Sequence, residues 1–296
     1  MPRQDDQKQL KTQKQVQQAL IPFEDALIAQ LPKPEEIIQA ALQRQQKQRR
    51  RQKNILSLLF LATLGGIWWW NPVYDQHYLS TGIGEQKDYI LSDGSQIKLN
   101  TATQLQIAYH LRSRNIQLEH GEATFHVKHA FWHAWLPWAE RRFEVRSGNI
   151  RIEDIGTVFN VRQFTADHTQ VAVLQGQVQV WSADQQQTML LKTGESLMTS
   201  IGQLNTLQQS VDVQQLIAWQ KGHYYFNNQS LAEVLAELNR YGELPVKIQQ
   251  GQLGQLRISG QANLAHRMQL IHALPTFSAV SIVQDEQGIF WIKAKK

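Results

Sequence analysis

The sequence predicts a mainly β protein with a small α/β module at its C-terminal end and a single transmembrane helix ahead of both. Three observations carry this. An uncharged apolar run, Ile55 to Trp70, follows a cluster of lysine and arginine. From Tyr78 to about Ser200, short alternations of apolar and polar residues recur between glycine, asparagine and aspartate turns. From Trp219 onward, strand-like and helix-like periods alternate. At 296 residues the chain has room for two domains and a tail, and 42% hydrophobic residues supply a core in addition to the membrane run. The formal charge of +5 is concentrated beside that run. It therefore speaks for membrane topology rather than for nucleic acid. Cysteine is absent, which excludes a disulfide framework, a thiolate metal site and a cysteine nucleophile.

Residues 1–53 are rich in glutamine, lysine and arginine and are divided by Pro22, Pro32 and Pro34. Pro34 followed by Glu35 and Glu36 predicts a helix start: proline suits the first turn, and carboxylates suit the positive end of the dipole. Ile37, Ile38, Ala41 and Leu42 then form a stripe at helical spacing. Leu10, Val16, Ala19 and Leu20, and then Phe23, Ala26 and Leu27, outline two weaker helices. Two readings stand for this tail: a partly disordered, solvated segment, or amphipathic helices that fold on a partner.

The membrane helix is expected over residues 54–74. Arg44, Lys47, Arg49, Arg50, Arg51 and Lys53 precede it, which places the N-terminus inside and everything after Pro72 outside. Leu58-Leu59-Phe60-Leu61 leaves no polar stripe for a core helix. A cleaved signal peptide would begin earlier and end at small residues rather than at Trp68-Trp69-Trp70.

Residues 75–210 read as a β domain. After the Ser92-Asp93-Gly94-Ser95 turn, Ile97 and Leu99 alternate with Gln96 and Lys98. Ile116 and Leu118, then Ala123, Phe125 and Val127, continue the theme around Gly121. The pairs Phe143/Val145, Ile150/Ile152, Phe159/Val161, Val171/Val173 and Val178/Val180 repeat it. Glycine-turn-strand units without intervening helices can build a β-sandwich or a solenoid-like stack.

Several of these strings resemble the FecR family in order. They are Leu91-Ser92-Asp93-Gly94-Ser95 with Leu99-Asn100, Arg114 to Leu118, Gly121-Glu122-Ala123-Thr124-Phe125-His126-Val127, Phe143-Glu144-Val145, Gly156-Thr157-Val158-Phe159-Asn160-Val161-Arg162, Val171 to Val180, and Gly194-Glu195. The resemblance implies a single-pass regulator of the inner membrane of Gram-negative bacteria. Such a protein stands between a TonB-dependent outer-membrane transporter and a cytoplasmic extracytoplasmic-function (ECF) sigma factor, in iron–siderophore uptake for example, and is processed by site-specific proteases. The motif residues themselves read as fold maintenance: glycines turn the chain, Thr157 and Asn160 satisfy turn backbone groups, Phe125 and Phe159 are core, and Glu122 and Arg162 are expected to pair. One departure matters. The family's cytoplasmic segment is usually longer and contains tryptophan, whereas none precedes Trp68.

Between Val127 and Phe143 lies an aromatic insertion, Lys128 to Arg142, longer than the family's usual connection. His126, His129 and His133 raise a metal site, but no carboxylate lies near them before Glu140, so neither a metal nor any other cofactor is assigned. Trp132, Trp135 and Trp138 with Arg141-Arg142 fit either an aromatic plug over the end of the β domain or a loop resting on the outer face of the membrane.

Residues 211–296 read as β-α-β followed by β-α-β-β. Gly222 to Phe226 is a strand, and Asn227 to Ser230 a turn. Ser230 with Glu233 forms a capping box ahead of the stripe Leu231, Val234, Leu235 and Leu238. Strands follow at Pro245 to Ile248 and Leu256 to Gly260, a second helix at Leu264 to His272, and a hairpin at Ala279 to Val283 and Ile289 to Ile292. The order resembles the short N-terminal domain shared by secretins and TonB-dependent transporters. No G-x-S-x-G, H-E-x-x-H or phosphate-binding loop is present. Glu153 and Asp154 are adjacent on a strand and point to opposite faces, so no catalytic residue is assigned and an enzyme is not expected.

Two functions remain. The first is a transmembrane anti-sigma regulator with its N-terminus in the cytoplasm and its C-terminus in the periplasm. The second is a membrane-anchored scaffolding or envelope-polymer-binding protein without sigma-factor control.

Overall fold

The computed structural model describes residues 34–128, 141–182, 184, 186–200, 203–208 and 212–295. The chain divides into two units, Met1–Trp69 and Trp70–Lys296. In the first, α1 runs unbroken from Pro34 to Trp70, about 55 Å at 1.5 Å per residue. It opens where Pro34, Glu35 and Glu36 predict. The expectations for residues 1–33 lie outside the described residues. Among the described residues no helix is long and apolar enough to cross a membrane. The uncharged stretch Asn54–Trp70 is 17 residues and closes on three tryptophans. Its large apolar side chains are exposed, from Ile67 at 47% to Trp69 at 85%.

The stretch expected to span the membrane, 54–74, is carried on the helix that opens at Pro34, and it is corrected at its far end: the helix stops at Trp70. Pro72 disfavours helical backbone at the residue before it, and Asn71 turns into the left-handed region at φ 49°. Val73 and Tyr74 already belong to β1 (Val73–Ser80).

The second unit begins with thirteen strands. They are β1, β2 (Lys87–Ile90), β3 (Gln96–Leu99), β4 (Gln104–His110), β5 (Ser113–His126), β6 (Arg142–Ser147), β7 (Ile150–Asp154), β8 (Val158–Thr165), β9 (His168–Gln175), β10 (Gln177–Ser182), β11 (Thr188–Lys192), β12 (Ser196–Ser200) and β13 (Gln203–Gln208). They form two sheets that share β5. Its first half pairs antiparallel with β4 and parallel with β6. Its second half, Gly121 to His126, pairs with β3 and β8. One sheet is therefore β1-β4-β5-β6-β7-β10-β11 and the other β2-β3-β5-β8-β9-β12-β13. This is the sandwich alternative of the two architectures expected. The strand crosses between sheets at Gly121, whose φ is +93°. A Cβ there would lie 2.6 Å from Thr103 Cα and 2.8 Å from the Ala102 carbonyl, so only glycine fits.

The alternating apolar residues of both sheets close one core. Ile97, Leu99, Ile107, Leu118, Val145, Ile152, Val161 and Val173 are fully buried. Phe125 lies at its centre, stacked 5.1 Å from Phe159 and edge-on 6.0 Å from Phe143.

The C-terminal module follows a short helix, α2 (Val213–Leu216), and a 3-10 turn, Ala218–Lys221. Its elements are β14 (His223–Ser230), α3 (Leu231–Asn239), β15 (Val246–Ile248), β16 (Arg257–Asn263), α4 (Met268–Phe277), β17 (Val280–Gln284) and β18 (Phe290–Ala294). This is the expected order, paired as β14-β16 and as β15-β18-β17. Ser230 and Glu233 form the predicted capping box, and Leu231, Val234, Leu235 and Leu238 are buried.

Two details differ from expectation. Asn227 to Ser230 continue β14 through a bulge, with Asn228 at φ 52°, because Asn228 N donates to Ser259 Oγ across the pair. The second helix starts later, at Met268. The Asn263 side chain instead accepts from the amides of Ala265 and His266 in a turn, the local competition typical of asparagine.

Replacing Phe125 by alanine should lower unfolding stability by about 3–5 kcal/mol, measured by urea denaturation. Phe164, 45% exposed, should cost about 1 kcal/mol or less when truncated.

Candidate functional site

Strand alternation fails across the middle of one sheet of the β body. In the second half of β5, Glu122, Ala123, Thr124 and Phe125 are all buried, and in β8 so are Phe159, Asn160 and Val161. Ala123, Phe125, Phe159 and Val161 face the core. Glu122, Thr124 and Asn160 face outward, where a sheet residue normally meets water. Here the C-terminal module covers them.

The seam is polar and centred on the Glu122 carboxylate, which is 4% exposed. Asn100 Nδ2 donates to Glu122 Oε2 at 2.9 Å, and Asn160 Nδ2 donates to Oε1 at 3.1 Å. Arg240 Nη1, from the C-terminal end of α3, donates to Oε2 at 3.3 Å and to Glu237 Oε1 at 2.6 Å. Arg162 of β8 closes the chain of charges by pairing with Glu237, and its guanidinium also lies 4.2 Å from the Phe164 ring centre. Two carboxylates and two guanidiniums thus alternate across the junction, Glu122–Arg240–Glu237–Arg162.

Neutral groups extend the seam. Asn100 Nδ2 also donates to Tyr241 Oη at 2.8 Å, and Thr101 Oγ1 donates to the Arg240 carbonyl at 2.8 Å. Gln86 Nε2 donates to the Trp219 carbonyl at 3.1 Å. Gln220 Nε2 donates to Thr124 Oγ1 at 2.8 Å, and that hydroxyl donates on to Asn160 Oδ1 at 2.8 Å.

The local fold explains why these side chains meet. Helix α3 turns Leu231, Val234, Leu235 and Leu238 into its own core. Glu237 and Arg240, three residues apart, share another face, and the chain then turns so that Tyr241 follows them to Asn100. On the β side, the register sets Thr124 opposite Asn160 and Glu122 opposite Arg162.

The electrostatics follow from burial and charge. Burial, and after it the Glu122 carboxylate, push the Tyr241 hydroxyl well above the usual tyrosine range. Burial and then Glu237 do the same to Tyr224. Burial works against the Arg240 charge, but Glu237 and Glu122 outweigh it and hold the guanidinium protonated more firmly than usual. A buried carboxylate with three donors, one of them a cation, is satisfied. The arrangement offers no nucleophile beside a base. Its chemistry is that of a clasp.

The expected Glu122–Arg162 pair is corrected. The two stand opposite each other in the strand register, yet each forms its ion pair with the C-terminal module, Glu122 with Arg240 and Arg162 with Glu237. The family-like strings Leu99-Asn100, Gly121 to Val127 and Gly156 to Arg162 therefore supply the β half of the seam as well as turns and core. Sequence reasoning missed that role and missed Glu237, Arg240 and Tyr241 altogether. The available signal was Glu122, Thr124 and Asn160 at outward strand positions, with Asn100 and Thr101 in the turn after β3. Of the histidines considered for a metal, His129 and His133 lie outside the described residues. Among the described residues, no group of three or more His, Asp and Glu side chains could hold a metal ion.

Residues 77–179 match the model of the FecR family, described as FecR protein. The match lies wholly within the β body and agrees with the resemblance drawn from the motifs. No curated protein matches the chain. Two crystal structures of a protein from Parabacteroides distasonis ATCC 8503, described provisionally as an anti-sigma factor, share the fold. Each is similar over its whole length, with 21% identity and a TM-score of 0.60, and they cover 75% and 74% of this chain.

Replacing Arg240 by alanine leaves the buried Glu122 without its cation and should cost about 3–5 kcal/mol. Replacing Glu122 by alanine leaves Arg240 its pair with Glu237 and should cost less, and the double variant should cost clearly less than the sum in a urea-denaturation cycle. Tyr241 is raised in the folded state, so its contribution is complete below the unfolded tyrosine value near 10 and is lost as pH rises through the higher folded value. Stability should therefore fall above pH 10, and Tyr241→Phe should flatten that fall in pH-dependent thermal melts.

Proposed function

We propose that this chain is a single-pass regulator of the inner membrane that acts as an anti-sigma factor and relays an external signal inward. The observation that carries this reading is the FecR match at residues 77–179, on a β body clasped to a second module by a buried charge seam. The described name of the structurally similar Parabacteroides protein agrees with it.

The topology in this reading has residues 1–53 in the cytoplasm, Asn54–Trp70 in the membrane and residues 75–296 in the periplasm. The uncharged stretch of α1 is about 26 Å long, close to the thickness of a hydrocarbon core. Its closing tryptophans suit the headgroup layer, which is why they lower its hydropathy without barring it from an anchor. The lysines and arginines before Asn54 set the N-terminus inside. Gly65 and Gly66 loosen the helix and offer a point for the last, intramembrane cut of regulated proteolysis.

Outside, the partner in this reading is the signalling domain of a TonB-dependent outer-membrane transporter, for iron–siderophore uptake. The C-terminal module suits such a partner. In its sheet order β15-β18-β17, β17 is paired only with β18 among the described residues, and a strand edge accepts another strand. Engagement there is coupled to the β body through α3, because Glu237, Arg240 and Tyr241 connect the module's core to β5 and β8. Inside, the tail binds an ECF sigma factor. It has no tryptophan before Trp68, so its contacts rest on stripes such as Ile37, Ile38, Ala41 and Leu42.

A bacterial two-hybrid assay of residues 1–53 against the host's ECF sigma factors should give one strong interaction, and silence against all of them would remove the anti-sigma assignment. The transporter signalling domain should be retained by the full chain and lost on deletion of residues 211–296. Full retention by residues 75–210 alone would refute docking on the module.

A further inference from the structure

At one rim of the β body, three separate parts of the chain place guanidinium and phenol groups together. Asn71, the first residue after α1, is held there by its own side chain: Oδ1 accepts from Arg112 N at 2.8 Å, and Nδ2 donates to Ser113 Oγ at 3.3 Å. Arg112 lies in the β4–β5 turn. The start of β6 returns to the same point, where Arg142 N donates to the Arg112 carbonyl at 3.1 Å. Beside it, the Arg141 guanidinium donates to Tyr74 Oη and sits 5.3 Å from the Tyr74 ring centre.

A buried arginine fixes this arrangement from below. Arg114 is 4% exposed, pairs with Asp93, lies 5.1 Å from the Phe143 ring centre and donates from Nη2 to the Arg141 carbonyl at 2.8 Å. Arg112, Arg141, Arg142 and Tyr74 are exposed. Among the described residues, Asp93 pairs with Arg114, Asp75 lies 3.0 Å from His77, and Glu153 pairs with Arg142 at 3.9 Å. The exposed guanidiniums outnumber that one carboxylate, which leaves the rim a positive excess.

We propose that this rim binds anionic phospholipid headgroups on the membrane face where the chain emerges. The proposal rests on the reading of Asn54–Trp70 as an anchor. Guanidinium groups match phosphate in fork geometry, and exposed tyrosine and arginine suit the headgroup layer. The chain itself supplies the proximity. Tyr74 is the fourth residue after Trp70, within a reach of at most about 14 Å. Tethering at such a distance makes even weak headgroup contacts effective.

The chain has no cysteine, so a single Gln76→Cys substitution at an exposed β1 position carries a fluorophore uniquely. The labelled full chain is reconstituted in vesicles of phosphatidylcholine alone or of three parts phosphatidylcholine to one part phosphatidylglycerol, each with a headgroup-spin-labelled quencher. Quenching should rise with phosphatidylglycerol and fall with salt. Replacing Arg112, Arg141 and Arg142 by glutamine should weaken docking about fivefold per arginine, whereas the triple lysine variant should keep most of it, which separates charge from folding defects. Equal quenching in both vesicles, or quenching untouched by the glutamine triple, overturns the proposal. Alkaline carbonate extraction tests the anchor separately. A chain that is extracted but still needs phosphatidylglycerol removes the anchor and leaves the rim. A chain that stays with the bilayer without that need does the reverse.

Discussion

A carboxylate buried between two modules constrains how they can be arranged. The Glu122 side chain is nearly inaccessible and is held by donors from the turn after β3, from β8 and from the C-terminal end of α3. Leaving such a group without partners costs several kcal/mol, so the arrangement that satisfies it is strongly preferred to any that removes the cation while keeping the site dry. Arg240 can reach it only if α3 lies across β5 and β8. The position of the C-terminal module on the outer face of one sheet follows from that requirement. So does the fate of Glu237, which completes its own pairing through Arg162.

This polar junction differs in kind from the two cores it joins. The β body closes on aliphatic side chains and three phenylalanines, and the module on Leu231, Val234, Leu238, Ile271 and Ile292. Apolar contacts are non-directional and tolerate small displacements. The seam depends on angles and distances, and water competes for every one of its groups. A junction of this sort holds a defined geometry while dry and loses its advantage once wetted, which suits a connection that must transmit a change of partner rather than merely resist unfolding. At the rim near Asn71 the same residue types act differently: Arg141 and Arg142 are exposed, whereas Arg114 is itself buried and pairs with Asp93.

Much of the architecture was legible in the residues. Period-two alternation marked the strands of the β body, because one face of each is buried. The Ser230–Glu233 box and its apolar stripe marked α3, because capping and burial are local in sequence. Pro34 with two glutamates marked the start of α1, and Pro72 marked where it had to stop, although counting Val73 and Tyr74 as interfacial helix overran that stop. The second helix of the module was misplaced by four residues because Asn263 captures the amides that would have begun it, a choice between two local hydrogen-bonding schemes that pattern alone does not decide.

What the sequence determined by itself is everything that depends on neighbours along the chain: which segments are strands, which are helices, which faces are apolar, and the family-like order of turns in the β body. What only the tertiary structure decided is where the polar strand positions point and with whom they pair. Glu122 and Arg162 look like partners from their strands, and the register does set them face to face. They part because a helix more than seventy residues downstream brings an opposite charge to each of them. Short-range pattern records solvent exposure only on average, and a face covered by a distant module is buried for a reason that no local window contains.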